Sequence, residues 1–261
     1  MNRSASPAPA SVAAIEDAAE LFRKAKRAVA LTGAGISTPS GIPDFRSEGS
    51  GLWSRDEPME VASLSAFRTS PERFFNWFRP LAGQIFNARP NAAHTALADL
   101  EDAAREMTVV TQNIDWLHQK AGSKRVVEMH GTLRTLSCTQ CFRQFGSESF
   151  LQVYVEEGTI PRCLSCNGIL KPDVILFGEQ LPQSAWLEAQ RASRRCDLML
   201  VAGSSLEVMP VAGLPLQALD CGAHLIVINN SETYINVRAD IVVKDDVADS
   251  LPQIIKRALH G

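Results

Sequence analysis

The stretch "AVALTGAGISTPSGIPDFR", residues 28 to 46, starts as an apolar run and then turns at two glycines separated by one alanine. A buried strand followed by such a turn is typical of loops whose backbone N–H groups approach a phosphate. The pattern alone is weak, because a tight turn without a ligand uses the same residues. Thr38 also stands where a dinucleotide-binding turn has its third glycine, and two prolines and a Phe-Arg pair follow it.

Size and composition describe an ordinary globular protein. The 261 residues suffice for one large domain carrying a smaller one, and 45% hydrophobic with 21% charged residues is typical of soluble proteins. A net charge of -3 argues against a basic face for nucleic acid. There is no apolar run of about eighteen residues, so we expect no membrane span. Residues 1–11, rich in Ala, Ser and Pro, lack the apolar centre of a secretory signal, which predicts a disordered tail on a cytoplasmic protein.

Strand and helix patterns alternate along the chain. Apolar runs that end at Gly, Asn, Asp or Ser occur at 28–33, 107–113, 125–131, 197–204, 224–229 and 241–245. Segments of helical period lie between them, such as 94–106 and 185–195. This alternation predicts an α/β fold, with a Rossmann-like parallel sheet covered by helices on both faces. Ligands of such sheets bind beyond the carboxyl ends of the strands.

Polar residues follow several of these strands. They are "TQNID" at 111–115, "GSS" at 203–205 and "NNS" at 229–231. Because the carboxyl ends of parallel strands meet at one edge, these residues favour a nucleotide cleft there. The acidic residue that usually binds the adenosine ribose, some twenty residues after the glycines, is missing, which weakens a hydride-transfer interpretation.

Four cysteines occur in two C-x2-C pairs within 134–170, a segment with little helical periodicity. They are Cys138, Cys141, Cys163 and Cys166. This spacing predicts a tetrahedral zinc site, and four protein ligands leave no open position for catalysis. Two disulfides are the alternative, but a reducing compartment disfavours them, and the few scattered cations disfavour a nucleic-acid-binding zinc ribbon. We expect Cys196 and Cys221 to be buried core thiols.

An ordered set of motifs resembles those of one enzyme family. The motifs are "GAGISTPSGIPDFRSEGSGLW" (33–53), "TQNIDWLHQKAG" (111–122), "EMHGTL" (128–133), the two cysteine pairs, "KPDVILFGE" (171–179), "GSSLEVMP" (203–210) and "VINNS" (227–231). In this order they resemble the sirtuins, NAD-dependent protein lysine deacylases, and the chain is similar to a short prokaryotic member from about residue 14 onward.

The resemblance implies a domain organisation. An NAD-binding domain would comprise 12–133 and 171–261, and within it 36–90 would hold a mobile cofactor loop and a helical insertion. Residues 134–170 would form the zinc-binding module. We expect a monomer that binds neither nucleic acid nor membrane.

The resemblance also implies that NAD is consumed. The bond between nicotinamide and ribose breaks, nicotinamide leaves, and the acyl oxygen of a modified lysine attacks the vacated ribose carbon to give an alkylimidate. His130 then takes a proton from the ribose, the 2'-hydroxyl attacks the imidate carbon, and water completes the release of free lysine and O-acyl-ADP-ribose. The loop after the glycines would then be a mobile cover in which Phe45 shields the ribose and Arg46 lies near the phosphates. A mono-ADP-ribosyltransferase would use the same cleft, and a non-enzymatic nucleotide sensor would show no turnover.

Individual roles follow from the same resemblance. Asn113 and Asp115 would bind and twist the nicotinamide amide, Ser37 would orient Asp115, and His130 would be the general base. The other histidines receive no role. The residues implied to contact the cofactor are Gly33, Ala34, Gly35, Ser37, Thr38, Asp44, Phe45, Arg46, Gln112, Asn113, Ile114, Asp115, Gly203, Ser204, Ser205, Asn229, Asn230, Ser231, Asp246 and Val247.

The acylated peptide would be held as an added strand between 177–179 and 205–208. The implied substrate residues are Val174, Phe177, Gly178, Glu179, Leu206 and Val208. Sirtuins that favour succinyl or malonyl lysine share a Tyr-x-x-Arg pair, and alignment by eye places Phe75 and Phe78 there, whereas a slip by one residue involves Arg79. Without a cation a buried carboxylate would be unpaired, so acetyl and longer apolar acyl groups are expected.

Overall fold

The computed structural model describes residues 11–44, 51–52, 57–103 and 106–261. Most of the predicted tail, 1–11, therefore lies outside the described residues. Ser11 is described, and its side chain accepts a hydrogen bond from the backbone N–H of Ala14, 3.1 Å away, as the N-cap of the first helix. None of the described helices has both the length and the hydropathy that crossing a bilayer requires.

The described residues form alternating strands and helices. The strands are β1 Arg27–Thr32, β2 Glu106–Thr111, β3 Val126–Glu128, β4 Gly131–Cys138, β5 Gln144–Gly146, β6 Leu170–Val174, β7 Leu198–Ala202, β8 His224–Ile228 and β9 Ile241–Val243. The helices are α1 Val12–Lys24, α2 Pro58–Val61, α3 Leu64–Thr69, α4 Pro71–Asn87, α5 Ala92–Asp102, α6 Leu117–Ala121, α7 Glu148–Glu157, α8 Gln183–Arg195, α9 Leu214–Asp220 and α10 Val247–His260.

Six strands form the main sheet in the order β3-β2-β1-β7-β8-β9, and every neighbouring pair is parallel. This confirms the predicted α/β fold. The order reverses between β1 and β7, which is the position where ligands bind in sheets of this type.

Both faces of this sheet are covered. The helices α1, α5 and α10 pack on one face, against residues such as Ala30 and Leu200. The helices α8 and α9 pack on the other, against their chain neighbours Leu31 and Val201. Adjacent residues of a strand point to opposite faces of the sheet. Because helices cover both faces, all four side chains are buried. This explains why the strands read as unbroken apolar runs.

A second, antiparallel sheet has the order β5-β4-β6. Cys138 ends β4, and the connections between the strands contain Cys141, Cys163 and Cys166. The predicted module, 134–170, covers most of this sheet, while β4 already begins at Gly131 and β6 continues to Val174. The exact domain division stays a prediction.

The insertion before α5 consists of α2, α3 and α4 and has its own aromatic core. Phe67 and Phe74 meet edge to face with ring centroids 5.2 Å apart, and Phe75 meets Tyr154 of α7 at 5.3 Å. The Tyr154 hydroxyl also donates to the backbone carbonyl of Phe75. The helix α4 is thus fixed to the cysteine-bearing module on one side, which leaves its other side for the site described next.

Candidate active site

A cavity of about 1200 Å³ lies at the carboxyl edge of the main sheet, between the strand ends and the helical insertion. Most of the predicted cofactor residues line it: Gly33, Ala34, Gly35, Ser37, Thr38, Asp44, Gln112, Asn113, Ile114, Asp115, Gly203, Ser204, Ser205, Asn229, Asn230, Ser231 and Val247. Phe45 and Arg46 lie outside the described residues. Asp246 is not part of the wall, because its carboxylate accepts from Ala248 N at 2.8 Å and caps α10.

The glycine turn brings the ends of β1 and β7 into direct contact. The N–H of Gly35 donates to the carbonyl of Gly203 at 2.8 Å, and a Cβ on Gly33 would lie 2.9 Å from that same oxygen. Gly203 has φ +60, and a Cβ there would lie 2.3 Å from the backbone nitrogen of Ile36. These glycines therefore permit close packing of two strand ends, and the turn continues as two short 3₁₀ helices, Ala34–Ile36 and Thr38–Ser40.

Three polar side chains form one buried network beside this turn. Ser37 Oγ donates to Asp115 Oδ2 at 2.7 Å, and Asn113 Nδ2 donates to Ser37 Oγ at 3.1 Å and to the carbonyl of Gly33 at 3.0 Å. The other Asp115 oxygen accepts from Leu117 N at 2.9 Å. Burial raises the pKa of Asp115, while the hydrogen bonds from Leu117 and Ser37 lower it. The network fixes both the amide and the carboxyl group toward the cavity, and it shows the predicted contact between Ser37 and Asp115.

His94, to which the sequence assigned no role, lies directly behind this network. Its Nδ1 accepts from the N–H of Asn91 at 3.3 Å, so a neutral ring carries its proton on Nε2, which is 3.5 Å from Ser37 Oγ. Burial lowers the pKa of His94 to about 4. The ring packs on that of His118, with centroids 4.8 Å apart. A sequence signal for the structural role of His94 was available: the N-cap asparagine three residues before it, with which His94 forms a capping box.

His130 reaches the cavity from a turn that follows β3, two residues later than the strand end. Its Nδ1 lies 3.0 Å from the backbone carbonyl of Gln112, to which it donates in the neutral ring. Gly131 makes the turn possible, because with φ +76 a Cβ would lie 2.0 Å from the carbonyl oxygen of Asp173. Burial lowers the pKa of His130. The ring is therefore neutral at pH 7, with Nε2 free to accept a proton.

Five of the six predicted substrate residues line the cavity: Val174, Phe177, Gly178, Glu179 and Val208. Leu206 does not, since its side chain is buried in the core beneath α8 and α9. Both backbone groups of Phe177 pair with the insertion, its N–H with the carbonyl of Ala62 at 3.0 Å and its carbonyl with the N–H of Leu64 at 2.9 Å. A peptide strand added at residues 177–179 therefore has to pair with backbone groups other than those of Phe177.

The opposite wall of the cavity is apolar and comes from α4. It consists of Phe74, Trp77, Phe78, Leu81 and Ile85. Phe78, which the alignment by eye placed at the acyl site, is part of this wall. Phe75, which it placed there as well, faces Tyr154 and does not line the cavity. Arg79 also points away, and its guanidinium donates to the carbonyls of Val155 at 3.0 Å and Glu156 at 2.8 Å. The 4-3-4 spacing of Phe74, Phe78, Leu81 and Ile85 was the sequence signal for this wall.

The four predicted metal ligands come together beside the second sheet. Their Sγ atoms all lie within 4.8 Å of one another, with Cys138 and Cys166 at 3.4 Å and Cys141 and Cys163 at 3.6 Å. A tetrahedron with zinc–sulfur bonds of about 2.3 Å has edges of roughly 3.8 Å, whereas a disulfide needs about 2.05 Å. The backbone N–H groups of Cys141 and Gln140 lower the pKa of Cys138 to about 6. The residues fit zinc, and none of the cysteines forms a disulfide.

The remaining two cysteines differ from each other. Cys196 is buried, as expected, and its thiol donates to the carbonyl of Ser193 at 3.2 Å. Cys221 is exposed, so the expectation of a core thiol is wrong for this residue. It lies at the C-terminal end of α9, where the chain turns toward β8 on the surface.

Curated relatives share most of this chain. It is 43% identical over 243 residues to the NAD-dependent protein deacylase 2 of Archaeoglobus fulgidus, covering 93% of this chain and 95% of the relative. It is 41% identical over 242 residues to the NAD-dependent protein deacylase of Pseudomonas putida, covering 92% of each.

Solved structures share the fold. A Sir2 enzyme studied for its mechanism and regulation superposes with a TM-score of 0.88 at 41% identity, covering 95% of this chain and 98% of the other. A Sir2 complex with a p53 peptide and NAD⁺ superposes with a TM-score of 0.84 at 37% identity, covering 93% and 97%. The family model described as "Sir2 family" matches residues 33–210. The chain therefore belongs to the Sir2 family.

Proposed function

We propose that this protein is an NAD-dependent protein lysine deacylase that transfers the acyl group of an acyl-lysine to ADP-ribose. One observation carries this proposal: a single cavity holds a neutral histidine and a buried amide–hydroxyl–carboxyl network, and the apolar side chain of Val174 lines the same cavity. The names of the relatives, NAD-dependent deacylases and deacetylases, agree with it.

The network of Asn113, Ser37 and Asp115 binds the carboxamide of nicotinamide. Bound NAD supplies a ribose carbon whose bond to nicotinamide can break. The amide of Asn113 and the carboxyl of Asp115 are held by hydrogen bonds before any ligand arrives, so little reorganisation is needed when the ring is turned. Gln112, whose Nε2 donates to Ser204 Oγ at 2.8 Å, lies beside them for contact with the ribose.

His130 is the general base that takes the proton from a ribose hydroxyl. Donation from Nδ1 to the carbonyl of Gln112 leaves Nε2 as the acceptor and fixes the ring plane. The pKa lowered by burial keeps this nitrogen unprotonated at neutral pH. An ADP-ribosyltransferase would need no such base for a ribose hydroxyl, and this favours deacylation.

The peptide substrate pairs its backbone with the 177–179 and 205–208 segments, and its acyl-lysine enters beside Val174 and Phe177. Glu179 is already used structurally, since its carboxylate accepts from Leu176 N at 2.7 Å and pairs with Lys171 at 3.0 Å. Sir2 structures that contain a p53 peptide and a propionylated peptide support the binding of a peptide substrate.

Zinc bound by the four cysteines would hold the second sheet together and supply no chemistry at the cavity, since all four positions are taken by sulfur. Reduced cysteines suit a cytoplasmic location, which we propose together with a monomeric state. The absence of nucleic-acid and membrane binding stays a prediction.

One assay distinguishes the candidate functions. The protein is incubated with NAD and an acetyl-lysine peptide, and the products are identified by mass. Free lysine with O-acetyl-ADP-ribose supports the deacylase, ADP-ribosylated protein without lysine release supports the transferase, and unchanged NAD supports a sensor. The same assay with His130→Ala has to abolish lysine release if the deacylase assignment is right.

A further inference from the structure

Trp116 occupies an unusual position for a tryptophan. Its backbone is left-handed, with φ 63 and ψ 17, at the N-cap of α6, and its side chain makes no capping hydrogen bond. This conformation strains a residue with a bulky side chain, whereas glycine or asparagine adopts it more easily. The indole is also 39% exposed. Burial in the core therefore does not explain a tryptophan at this position, and strained residues of this kind cluster at functional sites.

Three exposed cations lie around this indole. Cζ of the Arg134 guanidinium lies over the ring of Trp116, 4.8 Å from the ring centroid, and Nζ of Lys120 lies 5.8 Å from it. The same Nζ donates to the carbonyl of Ala88 at 3.4 Å, beside Arg89. Burial and the positive charge of Arg89 lower the pKa of Lys120. We call the exposed residues Arg89, Trp116, Lys120 and Arg134 the basic–aromatic face.

The positive charge of this face is not neutralised by an adjacent carboxylate. Within the described part of the chain, no ion pair includes Arg89, Lys120 or Arg134. Two carboxylates act on these cations through space, Asp115 on Lys120 and Glu128 on Arg134. Asp115 is held in the buried network described above, and Glu128 is partly buried and bonded to a neighbouring hydroxyl and a neighbouring amide. The face can therefore accept carboxylates from another molecule.

A groove of about 450 Å³ leads toward this face along the exposed side of α4. Uncharged polar side chains line it, among them Ser40, Gln84 and Asn87, and so does Ala88, whose carbonyl contacts Lys120. An extended peptide can lie in such a groove and place acidic side chains on the cations beyond it, because guanidinium groups bind carboxylates through paired hydrogen bonds. A nucleic acid would need a longer basic stripe, and the net charge of -3 provides no field that attracts polyanions.

We propose that the basic–aromatic face docks an acidic segment of a partner protein, an extended stretch rich in Asp or Glu, independently of the deacylase reaction. Its carboxylates pair with Arg89, Lys120 and Arg134, and its backbone passes Trp116 toward the groove. Each exposed pair contributes little alone, so the pairs have to act together, and salt weakens them.

Titration of the whole chain with three labelled probes tests this proposal without NAD. The probes are a peptide of alternating Glu and Gly, the same peptide with Gln in place of Glu, and a single-stranded oligonucleotide with the same number of negative charges. By fluorescence anisotropy we expect Kd for the Glu peptide to be at least about tenfold below that for the Gln peptide, and to rise at least about threefold from about 50 to about 300 mM NaCl. Equal binding of the two peptides, or tighter binding of the oligonucleotide, overturns the proposal.

Variants locate the docked segment. Arg134→Gln should weaken binding of the Glu peptide at least about threefold. Trp116→Gly should weaken it as well without lowering Tm, since glycine adopts the left-handed conformation without strain. Arg194→Gln is the matched control, because Arg194 is an exposed cation at the C-terminal end of α8, at the opposite edge of the main sheet. This variant should bind like the wild-type protein.

Thermal unfolding verifies that each variant is folded. Wild-type affinity in folded Arg134→Gln contradicts the proposal, and so does an equal loss in Arg194→Gln, which would reduce the binding to an effect of overall charge. If Arg134→Gln does not fold, the three probes on the wild-type protein still decide.

Discussion

The two walls of the cavity are built differently and from different parts of the chain. The sheet-edge wall consists of polar residues that follow strands, such as Asn113, Asp115 and Ser204, and their side chains are fixed by hydrogen bonds. The α4 wall is apolar and is held by ring packing against α7. We propose that the first wall serves the chemistry at the ribose and that the second contacts the acyl group.

If this division is right, the largest effect comes from His130. His130→Ala should lower kcat by a factor of about 10² to 10⁴ for acetyl and decanoyl peptides alike, because the base acts at the ribose and not at the acyl chain. Steady-state kinetics with both peptides measures this. His260→Ala, at the exposed C-terminal end of α10, is the control. A loss confined to one acyl length would break the division between the walls.

Loss of zinc should affect the α4 wall before the sheet-edge wall. Cys163→Ser removes one of four ligands, and we expect zinc loss and a lower free energy of unfolding by several kcal/mol. Since α7 of the same module supports α4, selectivity for the decanoyl peptide should fall together with stability. Metal content and chemical denaturation report both. The exposed Cys221→Ser serves as the control, and a zinc-free Cys163→Ser with wild-type stability would contradict this expectation.

The sheet-edge wall should be sensitive to acid through His94. Its pKa of about 4 is below the value of 6.5 in an unfolded chain, so the unfolded state binds more protons between these values. The free energy of unfolding therefore has its full value above pH 6.5, and it decreases by about 3 kcal/mol as the pH falls toward 4. His94→Gln should flatten the dependence of unfolding free energy on pH in this range relative to the wild-type protein. A slope equal to that of the wild-type protein would refute the assignment.

The smallest effect is expected at Arg79, which supports the α4 wall from outside. Arg79→Met removes two hydrogen bonds to carbonyls of α7 and should cost about 1 to 2 kcal/mol of stability. Relative rates with acetyl, succinyl and decanoyl peptides should not change, because the guanidinium faces away from the cavity. A specific change in the succinyl rate would place Arg79 in the cavity after all.

The same two walls show what a sequence can predict. The strands, the zinc ligands and most of the polar wall follow from short-range patterns: apolar runs, C-x2-C spacing and polar residues at strand ends. The α4 wall was assigned only in part: alignment by eye placed Phe78 correctly and Phe75 wrongly, because the phenylalanines are chemically alike and Phe75 packs against Tyr154 of α7. The contact between His94 and Ser37 could not be predicted from short-range patterns, since it joins residues 57 positions apart.

A crystal structure with decanoyl-lysine peptide and a non-hydrolysable NAD analogue would test the division of the two walls most directly. We expect the nicotinamide end at Asn113 and Asp115, a ribose hydroxyl within hydrogen-bond distance of His130 Nε2, and the acyl chain along Phe74 to Ile85. An acyl chain directed into solvent, or lying on the sheet-edge wall, would contradict it.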